Sequence, residues 1–238
     1  MAAGLDRAHW WAQWGGMSDS PGRSFAERLK LEDAFEHETL RGELLQGVRL
    51  NGKEFYRCIF EGAHLQETRW TDARLEDCVF RDCDLTRANV AGLRLREVRF
   101  EGCKLMGIDW SDAAPNPELH FEDCNLRYGS FVGLSLRRTS FARCAAHEVN
   151  FIDTDLTESD FTGTDLSGSN FRGCTLTKAD FRGALAAFLD PSRNTFKGTR
   201  ISVETAVLAA TSLGMRVEGH TDSEGPAPSD RRSRTRKK

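Results

Sequence analysis

The chain has 238 residues, 39% of them hydrophobic and 29% charged, and a formal net charge of −3. No apolar run approaches the ~20 residues of a membrane-spanning helix, and no apolar stretch follows a basic start as in a secretory signal. Membrane classes are therefore set aside and a cytoplasmic protein is expected. The charge is unevenly placed: the last eight residues, RRSRTRKK, hold six bases and no acid, and without them the net charge of the rest falls to −9. So acidic a body repels a nucleic-acid backbone, and direct DNA binding by it is not expected.

Residues 1–34 carry no repeat. His9, Trp10, Trp11 and Trp14 precede Gly15 and Gly16, and a Ser/Asp/Pro/Gly stretch runs to Gly22. A leader is expected here, partly disordered or acting as an N-terminal cap. Within it, Ser24 to His37 suits a turn or two of helix closing the end of a stacked structure.

From residue 35 to residue 201 the pattern repeats every five residues. Between Phe151 and Phe181 a Phe or Leu returns at each fifth position, and a small residue precedes each by two. A helix has a period near 3.6 and a strand a period of 2, so neither puts such a pattern on one face. A square coil does, with five residues to a side and twenty to a turn. Sorting the large residues by twenty gives Phe60, Phe80, Phe100, Phe121, Phe141, Phe161 and Phe181 as one core column. The opposite column reads Leu50, Trp70, Val90, Trp110, Phe131, Phe151 and Phe171, and the two between are mostly Leu. The register slips by one residue across Ser111–Pro117, which predicts a small bulge. The fold expected is all-β: a right-handed quadrilateral β-helix.

The cysteines Cys58, Cys78, Cys83, Cys103, Cys124, Cys144 and Cys174 all fall in the small inward slot. There they act as small hydrophobes; the spacings lack the close pairs of a zinc site, and no metal or disulfide is expected. The six histidines have no triad-like or ligand-like companions, so no catalytic residue is assigned, no cofactor is expected, and the chain is read as a non-enzyme. Gly163, Gly168, Gly173 and Gly183 sit at turns, with no Lys or helix following as in a phosphate loop.

The outward positions of the Phe face carry Glu61, Asp82, Glu101, Glu122, Asp123, Asp160 and Asp180 against Arg81, Arg99, Arg143 and Arg182. The face of the Phe55–Leu176 column is richer in arginine, including Arg94, Arg96, Arg137 and Arg138. From Asp153 to Asp165 there are five acids and no base. A charge run is usually a solvated face; an acidic column on a rigid rod can also present phosphate-like charge.

Ser202 reads as a helix N-cap, with Glu204 in the first turn and Gly214 as the stop. Val203, Val207, Ala210 and Leu213 form an apolar stripe on that helix, a candidate self-association site. Residues 202–218 are thus expected to be helix plus a short extended piece at Met215 and Val217. Residues 219–238 are expected to be a disordered tail with a basic end.

Units such as TDLTESDFTGTDLSGSNF, EDCNLRYGSF and EDCVFRDCDL resemble the pentapeptide-repeat family, over about Phe35 to Ile201. The order VRFEGCKLMGIDW, slip, HFEDCNLRYGSF, then a DP..N segment before a terminal helix is similar to the Qnr/MfpA-type, topoisomerase-protecting branch. That resemblance implies a homodimer joined through the C-terminal helix and an acidic stripe that stands in for duplex DNA. It implies as partner DNA gyrase or another type II topoisomerase, protected from a quinolone-like or natural-product antibiotic. On it, Glu101, Glu122, Asp123 and Asp160 are the expected partner-binding residues. The Trp-rich leader, the basic tail and the short insertion depart from the branch. The alternative is a non-catalytic scaffold for protein–protein interaction unrelated to topoisomerases.

Overall fold

The structure, a computed structural model, describes residues 24–218. It is a parallel β-solenoid of about seven turns with one short helix near its C-terminal end. The sides of the coils are strands of two to four residues or single-residue bridges. On the first face β1 (Ala34–Glu36), β3 (Glu54–Tyr56), β5 (Arg74–Glu76) and β7 (Arg94–Arg96) pair in parallel. On the second face β2 (Thr39–Arg41), β4 (Ile59–Glu61), β6 (Val79–Arg81), β8 (Val98–Glu101), β9 (Leu119–Glu122) and β10 (Phe141–Ala142) do the same. The third face is joined by single bridges such as Leu44 to His64, and the fourth by bridges and by the pair β11 (Asn150–Ile152) and β12 (Asn170–Arg172). The register is a twenty-residue step, with Phe35 against Phe55 and Phe60 against Phe80.

The interior follows from which residues point inward. All seven residues of the Phe column are at most 2% exposed. Their rings stack down the axis, Phe60 on Phe80 with centroids 4.4 Å apart and Phe141 on Phe161 at 4.7 Å. Across the core they meet the opposite column edge-on, as in Phe141–Phe151 at 5.5 Å and 87°. Offset stacks and T-shapes are the two arrangements that the ring quadrupole favours.

The small inward slot has a second duty. Its side chains donate to a carbonyl of the preceding coil: Cys58 to Phe35 O, Cys78 to Phe55 O, Thr154 to Phe131 O and Ser159 to Leu136 O. Cys, Ser and Thr share the size and the hydrogen that this contact needs. All seven cysteines are buried and free, as the register predicts. The two tryptophans of the opposite column differ. Trp70 donates its Nε1–H to Thr68 Oγ1 at 2.9 Å, whereas Trp110 has Ile108 in that slot and its buried Nε1 has no partner.

Most corners are turned two residues after an inward residue, where the backbone is left-handed; Asp112, in the 3-10 turn after Trp110, is an exception. Glycine fills some of these positions, and Asp, Glu, Arg, Lys, His37 or Tyr128 others. Gly173 shows why glycine is needed: its φ is +71°, and a Cβ there would lie 2.0 Å from Asp153 Oδ1.

At the N-terminal end α1 (Phe25–Arg28) is a single turn with a complete capping box between Ser24 and Glu27, and it buries Phe25 against Phe35. This single turn precedes the first strand, Ala34–Glu36. At the other end coil pairing continues through Asp180–Arg200. Ser202 then caps α2 (Val203–Ser212). Met215 and Val217 follow the helix and belong to no strand. The leader expected before residue 24 and the disordered, basic-ended tail expected over residues 219–238 lie outside the described residues.

Candidate interaction faces

Among the described residues no group of His, Cys, Asp or Glu is placed to hold a metal ion.

The four carboxylates singled out on the Phe face are all engaged locally. Glu101 accepts from Arg81 at 2.9 Å, in a ladder that runs Arg41–Glu61–Arg81–Glu101. Glu122 and Asp123 both hold Arg143. Asp160 Oδ1 accepts the Thr162 amide at 2.8 Å, which closes a turn. Asp180 takes Arg182 and Arg200, and the Arg182 guanidinium holds its carboxyl below the usual range. The residues do share one side of the rod; Arg81 and Arg143 stand among them, and Glu101 lies directly beside Glu122 on the next coil.

The acid run from Asp153 to Asp165 is likewise offset from neighbouring coils. Asp155 pairs with Arg137, Glu158 with Arg138 and Lys178, and Asp165 with His147. These partners lie eighteen to twenty residues away in sequence, where a linear reading does not bring them together. Asp155 and Asp165 also accept the amides and hydroxyls of Thr157 and Ser167, and their carboxyls sit below the usual range.

The C-terminal stripe is divided. Val207 is buried within the protomer, so it is not available to a second chain as the stripe proposed. Val203 and Leu213 are exposed, Ala210 is half-buried, and Leu208 adds a further exposed side chain that the stripe had not included.

The insertion makes a site that the periodicity did not reveal. After a 3-10 turn at Trp110–Asp112, the chain buries Pro117 and turns Asn116 outward at φ +56°. The first-face sheet stops at β7. A cleft of about 580 Å³ opens there, bounded by Glu97, Pro117 and His120 on one side and Ser135, Arg137 and Thr139 on the other. Burial and the nearby Arg99 charge push the His120 pKa down.

A parallel solenoid with five-residue sides and stacked Phe and Leu columns defines a class: repeat proteins built of pentapeptides. The pentapeptide repeat region model matches residues 53–115 and 117–187, more than half the chain, and the chain belongs to that family. The two matched stretches meet at the insertion. No curated protein sequence matches the chain. Among solved structures, full-length QnrB1, described as a plasmid-mediated fluoroquinolone resistance protein, is 20% identical. That likeness covers 76% of this chain and 100% of QnrB1, with a TM-score of 0.50. HetL, a pentapeptide repeat protein involved in heterocyst differentiation regulation in Nostoc sp. strain PCC 7120, is 18% identical. It covers 74% of this chain and 90% of its own, with a TM-score of 0.57. At such identities the likeness shows the fold.

Proposed function

We propose that this chain is a non-catalytic binding rod that engages DNA gyrase or another type II topoisomerase in place of a duplex segment, shielding it from a quinolone-like or natural-product poison. The observation that supports this is the column of surface carboxylates on the Phe face, held by the backbone at coil spacing. Seven turns at ~4.8 Å give a rod of about 34 Å, one turn of B-DNA. QnrB1, a fluoroquinolone resistance protein, shares the fold.

A second reading, a scaffold for an unrelated protein, is favoured by one observation. The arginines of the Arg41–Glu101 ladder and Arg143 interleave with the acids. Alternating signs complement a mixed protein surface better than a phosphate-binding groove.

Gyrase supercoiling with and without a poison separates the two. The test variant joins Glu101→Gln, Glu122→Gln, Asp123→Asn and Asp160→Asn, which removes charge and keeps the acceptors. On the first reading it folds normally and loses its effect on gyrase, while Arg94→Gln with Arg96→Gln changes nothing. Effect retained at the wild-type concentration refutes mimicry by this face, and a wild-type protein without effect on gyrase leaves the scaffold reading.

A further inference from the structure

Two carboxylates at the insertion have no counter-charge, and the groups around them define what fits there. At the corner after the first face, opposite charges on neighbouring coils pair. Arg57 lies 3.6 Å from Asp77, and Glu158 is held between Arg138 at 2.9 Å and Lys178 at 3.0 Å. Glu97 and Glu118 break this order. Val98 is in register with Leu119, and its amide donates to Glu118 O at 3.0 Å, so the two acids stand side by side on successive coils. Neither carboxylate has an ion pair or a hydrogen bond among the described residues, and both line the cleft. Like charges on neighbouring strands repel.

The backbone layer of the insertion is complete, with Ala114 N–H bonded to Leu93 O and Glu118 N–H to Leu95 O. The cleft is a hollow of side chains beside it. One polar group in that hollow is buried and unpaired. The small inward slot of the first face donates to the coil before it through Cys78, Ser159 and Thr199. The Thr139 hydroxyl, in the same slot, has no partner, although Thr139 is only 2% exposed and lines the cleft.

Charge and chemistry narrow the occupant. The arginines of the far wall are turned to the coil beyond, Arg137 to Asp155 and Arg138 to Glu158. Burial and the Arg99 charge lower the His120 pKa, so this side chain is neutral near neutrality and repels no cation. Two negative charges are left, and they call for a cation. No group of His, Cys, Asp or Glu among the described residues is placed to hold a metal, whereas an ammonium donates to carboxylates directly. Asn116, Ser135 and Thr139 both donate and accept, which suits hydroxyls on the ligand. A cleft of about 580 Å³ has the size of a small-molecule site, and a single side chain from a partner would leave most of it empty.

We propose that this cleft binds a small hydroxylated amine, an amino sugar or aminocyclitol, with ammonium groups at Glu97 and Glu118 and a hydroxyl at Thr139. The cleft is apart from the Phe-face carboxylates, so this does not depend on the topoisomerase reading.

The test titrates the full chain calorimetrically with deoxystreptamine, its diacetylated derivative and diaminopropane. The first carries ammonium groups and hydroxyls, the second has lost the charges, and the third has lost the hydroxyls. Deoxystreptamine is expected to bind most tightly. Glu97→Gln with Glu118→Gln should weaken it about tenfold or more, and Thr139→Val about threefold to tenfold. Thr139→Ser keeps the hydroxyl and should bind as the wild type does, and Thr139→Val should leave diaminopropane unchanged. Without ligand, the paired Gln variant should melt no lower than the wild type, because it removes a repulsion. A lower melt means that the two acids are engaged within the chain, which overturns the premise. Equal binding of the diacetylated derivative overturns the ammonium site. Diaminopropane binding as tightly as deoxystreptamine, or deoxystreptamine binding unchanged in Thr139→Val, overturns the hydroxylated ligand and leaves charge attraction alone. Displacement of deoxystreptamine by an equal concentration of magnesium chloride overturns selection for an amine. No binding of any probe at millimolar concentration overturns the site.

Discussion

Phe121→Ala is the most exposing test of the stacked core. Phe121 has no exposed surface and its ring meets four others: Phe100 at 5.4 Å and Phe141 at 5.3 Å in stacks, Trp110 at 5.6 Å and Phe131 at 5.9 Å edge-on. Removing it forfeits ~1.5–3 kcal/mol of apolar burial, and the cavity left adds to that. The cavity has little freedom to close, because the backbone on both sides is held by ladder bonds such as Phe121 N–H to Ser140 O at 2.7 Å. The expected loss is therefore in the upper part of ~3–5 kcal/mol. Phe181, the last ring of its column, meets two rings, Phe161 at 4.7 Å and Phe171 at 5.8 Å. Its truncation should fall at the lower end of that range. Urea titration followed by circular dichroism measures both. A cost below ~1 kcal/mol for Phe121→Ala, or a larger cost for Phe181→Ala, would refute the nearest-neighbour picture of this core.

Gly173→Ala meets both positive φ and Asp153 Oδ1 at 2.0 Å, whereas Gly133→Ala, at the same φ with nothing within 4 Å, meets backbone strain alone. Thermal melts should show Gly133→Ala costing ~1–2 kcal/mol and Gly173→Ala clearly more; equal losses would mean that the Asp153 contact is irrelevant. Thr68→Val strands the buried Trp70 Nε1–H and should cost ~1–3 kcal/mol, read by the urea midpoint, with no loss arguing against that bond. The carboxyls of Asp155, Asp165 and Asp180 are lowered by folding, so their contribution is full above the unfolded value of ~3.9 and is lost as pH falls through the folded values. The urea midpoint should therefore drop between about pH 5 and pH 2, and a flat profile there would contradict the pairing. If α2 joins two protomers, Leu208→Asp should give a monomer in sedimentation while the solenoid signal persists; Leu208 replaces Val207 as the probe because Val207 is buried.

What could be read in the sequence is what depends on period alone. Inward positions recur every five residues regardless of context, so the Phe column and the buried cysteines follow from counting, while the N-cap at Ser202 follows from residue type alone. Charge pairing does not. Whether Glu101 is free depends on Arg81 a full coil away and on how far its side chain extends, and nothing local to Glu101 reports it. Asp160 illustrates a second limit, since an acid one residue before an inward Phe serves as a turn acceptor as readily as a surface charge. The apolar stripe on α2 is real as a pattern, but a helical wheel does not say which side meets the rod, and burial of Val207 decides that. The cleft was hidden for a related reason. The slip at Ser111–Pro117 is visible, but the outward turn of Asn116 beside a buried Pro117, which opens the cleft, is not.

The ladder Arg41–Glu61–Arg81–Glu101 alternates in sign from coil to coil, and on the fourth face the corner positions alternate Gly52, Asp72, Gly92 and Asp112. The backbone repeats after twenty residues, but these side chains repeat after forty. Loss of a single coil, say residues 62–81, would leave every strand in register yet set Glu61 beside Glu101. Loss or gain of coils in pairs keeps opposite charges facing. Genetic shortening or lengthening of this stretch is thus easier in steps of two coils than of one, a parity rule carried by the surface and invisible to the core.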